Sequence, residues 1–516
     1  MGSDLPPNPP AEPPQAAIVA PAKQAAEPIV VESHGYRYVV TGNLLLPAET
    51  VTSSLEAGDT PKAALESLNQ AYQNAGYFLT ALRAEVAFQT VAIRVFHGRI
   101  TEEDIVPSLV PFYAGMEGRE DLQRNTLIRK SALAESYAAR DGMRPKVAFA
   151  PAEEVGGSKM TVTEEPIEGA KWWNANLNFG NLGSRYSSRY IAQASGTVRP
   201  GAGLELSANF GQGLPGLSAD SAGSLYKTGG VGATGVTPWG LYGATYYQTS
   251  YHIGEKAAPL NPDGTIKVGS ISGTQLPYAD EAGRVGLTES FTRTSNVVTG
   301  FQGLVTITDQ HYDFVSVGAS FSRSLAVLGE NASLAGGLTV SQGLSRRSGS
   351  LDPALPGVPN PRFTLYQGTL SYTQPLPLGY TAGLSWSGQW ANATLPQNQQ
   401  WVLGGFGNLT AWLPAVMVGD IGTLTRASVA TPAWEWSGLS VTGSVFVEAG
   451  TVRTYYTPIG TPVSRGLDDA GISLSGSLKS GTSLLVAYAS PWGSHNVDRN
   501  SLGNRAYLYF SLNQSF

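Results

Sequence analysis

The sequence predicts a transmembrane antiparallel β-barrel of about 16 strands, preceded by two small α/β domains. Three observations support this fold. Only 14% of the 516 residues are charged, whereas about a quarter is usual in soluble domains. The charge is uneven, with 36 charged residues in the first 170 positions and 36 in the remaining 346. The rear part also alternates apolar and polar residues, which is the pattern of a strand with one apolar face.

The front part predicts an extended segment followed by two related α/β units. Residues 1–33 are rich in proline, which prevents a long helix and favours an extended, mobile chain. No charged and apolar leader pattern opens the sequence, and we expect a signal peptide to have been removed. Residues 34–98 follow a β-α-α-β-β pattern with a helix over 61–76. Residues 99–168 repeat the pattern more weakly, with a helix near 125–140.

Residues 169–516 predict the barrel itself. Alternation of apolar and polar residues also occurs in large soluble β-sandwiches and propellers, but three features favour a membrane barrel over these folds. The strands are about ten residues long rather than the usual five or six. The polar positions are mostly Ser, Asn, Gly, Thr and Gln, and Tyr and Trp lie near many strand ends, as in an interfacial girdle. At roughly 20 residues per strand and connection, this region holds about 16 strands around an aqueous lumen.

Composition and spacing argue against several functions. The chain has no Cys, which excludes disulfides and a Cys nucleophile. Its net charge of −6 argues against a general nucleic-acid binder. The five His residues lack ligand spacing, and GVGATG at 230–235 fits a dinucleotide motif only formally. Asp468 and Asp469 are interpreted as part of a solvated turn. We therefore expect no enzyme activity, no metal and no cofactor.

The order of segments resembles the two-partner secretion transporters, the haemolysin and filamentous-haemagglutinin secretion/activation proteins. YQNAGY at 72–77 resembles the end of the first helix pair of this family, and NLNFGNLGS at 176–184 is similar to its opening barrel strand and turn. The resemblance implies two periplasmic POTRA domains and a barrel in the bacterial outer membrane. It also implies export of a large partner protein.

A long lumen loop carries the second part of the resemblance. LGGFGNLTAWLPAVMVGDIG at 403–422 is similar to the loop that folds back into the barrel of the family, and we place this loop at about 392–422. The resemblance assigns lumen gating to this loop and to an inward acid on a later strand. The residues concerned are Gly404, Gly405, Thr410, Ala411, Trp412, Gly419, Asp420 and Glu448.

The loop tip departs from the family pattern at one position. The family has an Arg there that pairs with the inward acid, whereas this chain has Thr410. Glu448 must therefore find another partner or take up a proton, because an unpaired buried carboxylate is costly. Alternatively, Glu448 is an ordinary lumen-facing acid. Trp412 either packs the tip against the barrel wall or is an exposed aromatic residue.

The predicted function is export of an unfolded partner protein through the lumen. The POTRA domains would capture the client by adding an extended segment to a strand edge, and the candidate edges carry Val91, Ile93, Val95, Met160 and Val162.

The last strand carries the residues that resemble a barrel-assembly signal, which are Phe510, Leu512 and Phe516. The expected partners are a secreted protein, outer-membrane lipids and the barrel-assembly machinery, with no nucleic acid, and the chain is expected to be a monomer.

Two other functions stay open at this stage. A membrane-protein insertase would need a weak seam between the first barrel strand, 171–180, and the last, 506–516. A passive pore or polymer exporter would leave the front domains dispensable.

Overall fold

The computed structural model describes residues 27–42, 45–153, 157–184, 188–254, 257, 260–458, 460–502, 505 and 508–516. Most of the predicted Pro-rich segment, residues 1–26, lies outside these ranges. The described chain forms two small α/β units followed by one closed antiparallel barrel. The predicted fold class is confirmed.

The first unit packs two helices on one face of a four-stranded sheet. Its elements are β1 (Ile29–Ser33), β2 (Tyr36–Thr41), α1 (Ala48–Glu56), α2 (Pro61–Asn74), β3 (Thr80–Ala87) and β4 (Thr90–His97). Helix α2 begins at Pro61 because proline suits the first helical position and the Thr60 hydroxyl accepts a hydrogen bond from the Ala63 N–H at 3.3 Å. Since β1 pairs with β2 along its whole length, the predicted boundary at residue 34 is wrong and the unit begins earlier.

The second unit has the same general plan with a smaller sheet. Its elements are β5 (Arg99–Ile105), α3 (Val110–Tyr113), α4 (Arg124–Arg140), β6 (Met143–Pro151) and β7 (Gly157–Pro166). The α4 helix buries Leu127, Ile128 and Leu133 in a core that it shares with the sheet. Within the described ranges, no helix is both long and apolar enough to cross a membrane.

The predicted client-binding edges are not edges. In the first sheet the strand order is β1-β2-β4-β3, so β4, which carries Val91, Ile93 and Val95, lies between two strands. In the second sheet the order is β5-β7-β6, so β7, with Met160 and Val162, is the central strand. All five side chains are buried. Their apolar alternation reflects packing against the helices, and the free edges are β1, β3, β5 and β6.

The barrel closes through pairing of its first and last strands. Its strands are β8 (Trp173–Gly180), β9 (Ile191–Gly201), β10 (Leu204–Gly213), β11 (Leu225–Thr237), β12 (Gly240–His252), β13 (Asp263–Ala279), β14 (Gly283–Gly300), β15 (Val305–Val327), β16 (Glu330–Gly349), β17 (Thr364–Pro375), β18 (Thr381–Ala391), β21 (Ile421–Ala430), β22 (Trp434–Trp436), β23 (Leu439–Arg453), β24 (Arg465–Leu478), β25 (Thr482–His495) and β26 (Leu508–Ser515). Both β21 and β22 pair with β23 and occupy one position in the wall, which gives the 16 strands that the sequence predicts.

The two faces of the wall differ as the alternation predicts. Along β15, Val315, Val317 and Phe321 are exposed on the outer surface. The intervening Ser316 faces the lumen, where its hydroxyl lies 2.7 Å from that of Ser341 on β16. An apolar outer face and hydroxyl-rich inner face are typical of a membrane barrel with a wet interior.

The second unit contacts the barrel at the end with short turns. The guanidinium of Arg140 donates to the carbonyls of Gly203 and Thr234 at 2.9 and 2.8 Å. Arg124 pairs with Glu281, in the turn between β13 and β14, at 2.7 Å. Because the strands are antiparallel, the connection between β18 and β21 leaves from the opposite end of the barrel.

Candidate functional site: the loop inside the barrel

The connection between β18 and β21, residues 392–420, folds into the barrel interior. Two short strands within it, β19 (Trp401–Leu403) and β20 (Met417–Gly419), pair as a hairpin. Residues 404–416 between them form the tip. The loop side chains Leu403, Leu409, Ala411 and Trp412 are buried against the inward-facing Phe446, Val452, Leu467 and Ala489 of the wall. We call residues 392–420 the lumen loop.

Two glycines give the tip its tight turn. Gly404 and Gly405 have φ angles of +105° and +108°, a region that favours glycine. A Cβ atom on Gly404 would also lie 2.2 Å from the Leu413 carbonyl oxygen. The close return of the chain at this point therefore requires a residue without a side chain.

Three ionisable side chains form a row on the wall beneath the tip. Arg426 on β21 is directly opposite Glu448 on β23, which is directly opposite Asp469 on β24. Directly opposed residues of neighbouring strands are close enough to interact, and Arg426 forms an ion pair with Glu448. Both carboxylates are almost completely buried. We call Arg426, Glu448 and Asp469 the wall triad.

The tip reaches the wall triad through backbone groups. The N–H of Thr410 donates to Glu448 Oε2 at 2.6 Å, and the N–H of Ala411 donates to Asp469 Oδ2 at 2.7 Å. The carbonyl of Trp412 accepts a hydrogen bond from the Tyr509 hydroxyl, on β26, at 2.7 Å. Three consecutive tip residues are thus held by three different strands. Hydrogen bonds to charged groups are worth about 1.5–3 kcal/mol each.

Arg426 also lies between two aromatic rings. Its guanidinium carbon is 4.1 Å from the ring centroid of Phe446 on the wall and 5.9 Å from that of Phe406 in the tip. Both contacts are within the range of cation–π attraction. Arg426 therefore contacts the barrel through Glu448 and Phe446 and contacts the loop through Phe406.

The base of the lumen loop is attached separately, by hydrogen bonds of Asp420 and Gln389 to backbone groups. The Asp420 carboxylate accepts from the N–H groups of Leu395 and Tyr455 at 2.8 and 2.7 Å. The Gln389 amide, on β18, donates to the carbonyls of Gln399 and Asp420 at 2.9 and 3.1 Å. The loop is consequently fixed at its base and, independently, at its tip.

A comparison with protein families matches part of the barrel. Residues 285–500 match the model of the family described as haemolysin secretion/activation protein ShlB/FhaC/HecB. This stretch contains the lumen loop and the whole wall triad. The match agrees with the resemblance to the two-partner secretion transporters that the sequence carries. No curated protein matches this chain in sequence.

Two solved structures resemble this chain in fold over nearly its whole length. CdiB from Escherichia coli is 15% identical, with a TM-score of 0.75, and the alignment covers 96% of this chain and 93% of CdiB. CdiB from Acinetobacter baumannii is 14% identical, with a TM-score of 0.69, covering 96% of this chain and 91% of that protein. The common architecture therefore includes the two α/β units as well as the barrel.

The predicted loop residues do come together. Gly404, Gly405, Thr410, Ala411 and Trp412 lie in the tip. Gly419 and Asp420 lie at the base, and Glu448 lies beneath the tip. Trp412 is completely buried, so the exposed alternative is wrong. The predicted assembly residues lie on β26, where Phe510 packs on Phe179 across the closing strands and Leu512 and Phe516 are exposed.

Sequence reasoning missed four residues of the site, namely Phe406, Arg426, Asp469 and Tyr509. The interpretation of Asp469 as part of a solvated turn is wrong, because it lies within β24 and is fully buried. The sequence does indicate that Glu448 faces the lumen, because the neighbouring Val447 on β23 faces outward. The partner of Glu448 depends on the register between strands, however, and one strand's alternation does not determine that register.

Proposed function

We propose that this protein exports an unfolded partner protein through its barrel lumen after the lumen loop has withdrawn. The barrel would lie in the outer membrane, with the two POTRA-like units in the periplasm. The observation that carries the proposal is that the loop lies inside the barrel without joining the wall as a strand. Its tip is held by two hydrogen bonds to carboxylates, one to a tyrosine, three ring contacts and a backbone bridge between Trp412 and Arg505, and such a set can break and re-form.

The charges at the tip favour reversible release. Residues 392–419 contain no charged side chain, whereas Arg426, Glu448 and Asp469 all belong to wall strands. When the tip leaves, the Arg426–Glu448 pair stays together on the wall. Separating a buried ion pair costs about 3–5 kcal/mol, and this arrangement avoids that cost.

Client capture would use the free edges of the two units. An extended segment can add to an exposed strand and form main-chain hydrogen bonds with it. The β3 edge of the first unit ends in two exposed apolar side chains, Val86 and Phe88, and Phe88 is 99% exposed. An apolar client side chain would find a contact there that the buried residues of β4 and β7 do not offer.

An insertase would require the closing strands to part. The seam between β8 and β26 has only five opposed pairs, which is fewer than the seven between β25 and β26. Asn181 compensates by donating to the Leu508 carbonyl at 2.8 Å and accepting from the Phe510 N–H at 2.7 Å. These two hydrogen bonds of Asn181 hold β26 next to β8, which favours passage through the lumen over opening of the barrel wall between these strands.

Planar-bilayer conductance tests the proposed passage. A variant lacking tip residues 404–416 should conduct steadily, whereas the full chain should be closed except for brief openings. Deletion of the exposed residues 354–357, in the connection between β16 and β17, is the matched control and should leave the closed state unchanged. A tip deletion that folds into the membrane but never conducts would contradict the proposal.

A cysteine pair at Asn178 and Asn513, which are directly opposed across the seam, separates the two functions. The chain has no other cysteine. Oxidation should leave secretion of a co-expressed partner intact if the lumen is the route. Loss of activity on oxidation, with recovery on reduction, would instead support the insertase.

A further inference from the structure

Two basic side chains lie on the outer face of the barrel, where apolar residues are the rule. On β13, the exposed Ile271 faces outward, and the two-residue period puts Gly269 and Lys267 on the same face. On β14, the outward Leu287 likewise places Arg293 outside. Lys267 is exposed, and the side chain of Arg293 is 57% exposed.

Their height along the wall corresponds to one boundary of the membrane. The strand β14 rises from the turn residue Ala282 to Arg293 by about 28 Å, at about 3.3 Å per residue and a tilt near 40°. The apolar band of such barrels is about 25 Å tall. Tyr246, an exposed residue of β12, lies in the same cross-strand row, as expected of an interfacial aromatic girdle. The two basic residues thus lie at the boundary farther from the two α/β units.

The cross-strand register makes a notch between these side chains. Gly269 is directly opposite both Tyr246 and Arg293. A Cβ atom on Gly269 would have the Tyr246 ring as its nearest neighbour, at 3.9 Å, so the space between the phenol and the guanidinium is open. Lys267 is two residues from Gly269 on the same face and borders this space.

A neighbouring carboxylate holds the guanidinium in place. Arg293 donates through Nε and Nη2 to the two oxygens of Asp313 at 3.1 and 2.9 Å. A guanidinium has five N–H donors, so this pairing leaves three for another acceptor. The Asp313 charge offsets that of Arg293, and Lys267 supplies the remaining positive charge.

We propose that the notch formed by Tyr246, Lys267, Gly269 and Arg293 binds the phosphate of a phosphorylated glycolipid in the leaflet farther from the two α/β units. The guanidinium supplies directional donors, Lys267 supplies charge, and the phenol ring packs against the sugar. The proposal depends on the barrel lying in the outer membrane and is independent of how the lumen loop moves.

The test measures binding of diphosphoryl lipid A to the detergent-solubilised full chain by native mass spectrometry. Lys267→Gln and Arg293→Gln should each weaken binding about threefold, and the double variant should weaken it at least tenfold. Lys479→Gln, which removes a charge at the opposite end of the barrel, is the matched control and should bind as the unaltered chain does. Heat-modified migration on gels reports whether each variant is folded.

Two further ligands, dephosphorylated lipid A and inorganic phosphate, show which part of the lipid is recognised. Dephosphorylated lipid A should bind equally weakly to the unaltered chain and the double variant, and inorganic phosphate at millimolar concentration should not displace diphosphoryl lipid A. Equal binding of diphosphoryl lipid A to the folded double variant would overturn the proposal. Full retention of dephosphorylated lipid by the unaltered chain would also overturn it, because the acyl chains alone would then account for binding. Displacement by inorganic phosphate would show a general anion site instead of a lipid site.

Discussion

Arg426 and Glu448 form an ion pair between directly opposed positions of β21 and β23, and the lumen loop touches this pair only with uncharged groups. In the family pattern the arginine would lie on the loop at the position of Thr410. Here the barrel supplies both charges, and the loop supplies an N–H group and an aromatic ring. The anchorage of the loop therefore depends on a residue that does not belong to the loop.

The first prediction concerns Arg426→Gln. Without the guanidinium, the buried Glu448 loses its ion-pair partner and Phe406 loses its contact, so the tip should leave the wall more often. Single-channel recording should show the open fraction rising about tenfold. Arg426→Lys keeps the charge and should stay within threefold of the unaltered chain.

A double-mutant cycle shows whether Arg426 acts through Glu448. Glu448→Gln alone should also raise the open fraction, and adding Arg426→Gln to it should change little further, because residues acting through one contact are not additive. Independent, additive effects would show that Arg426 acts through a contact other than Glu448, such as the Phe406 ring. Arg293→Gln, which removes a guanidinium on the outer face, is a suitable control and should not alter gating.

The second prediction concerns the β3 edge. If Val86 and Phe88 contact the client, Phe88→Ser should weaken binding of an extended partner segment, and Val86→Ser/Phe88→Ser should weaken it further, to about one tenth. Val110→Ser, which removes an exposed apolar side chain from the second unit, provides the comparison. Surface plasmon resonance with the full chain immobilised measures the difference. Identical affinities for all three variants would place capture elsewhere.

The fold is predictable from local sequence patterns, but the contacts between residues of the site are not. In segments such as 315–321, apolar and polar residues alternate because one face of the strand meets lipid and the other meets water. This pattern lies within a single strand, so the sequence alone predicts the barrel. The sequence analysis places β4 and β7 at sheet edges, but both are central strands. A buried central strand and an amphipathic edge strand can carry the same alternating apolar residues, such as Val91 and Val162, so the pattern does not distinguish them. The partner of Glu448 was missed because Arg426 lies 22 residues away and only the register brings the two together.

The third prediction concerns pH and helix α4 of the second unit. Burial raises the pKa of Glu135 to about 7, against about 4.3 in an unfolded chain. The folded state thus binds this proton more tightly, so the stabilising contribution of Glu135 is full below about pH 4.3 and is lost as the pH rises through about 7. Amide hydrogen exchange in the full chain, corrected for intrinsic rates, should show weaker protection of α4 at pH 8 than at pH 5.5.

Glu135→Gln should remove this pH dependence, because its amide carries no charge at either pH. Glu165→Gln, at an exposed position on β7, should retain it. If Glu135→Gln shows the same loss of protection as the unaltered chain, the pH dependence of α4 has another source.

The most direct test of the central claim is to lock the tip to the wall. A Cβ atom on Gly450 would lie 3.0 Å from Leu409 Cδ1, so cysteines at these two positions are close enough to be joined by a short bis-methanethiosulfonate crosslinker, whose disulfide bonds dithiothreitol reduces. With the crosslink formed in every molecule, single-channel recording should show no openings, and dithiothreitol should restore the brief openings of the unaltered chain. Openings of unchanged frequency and size through a fully crosslinked barrel would contradict the claim that the lumen loop closes the passage.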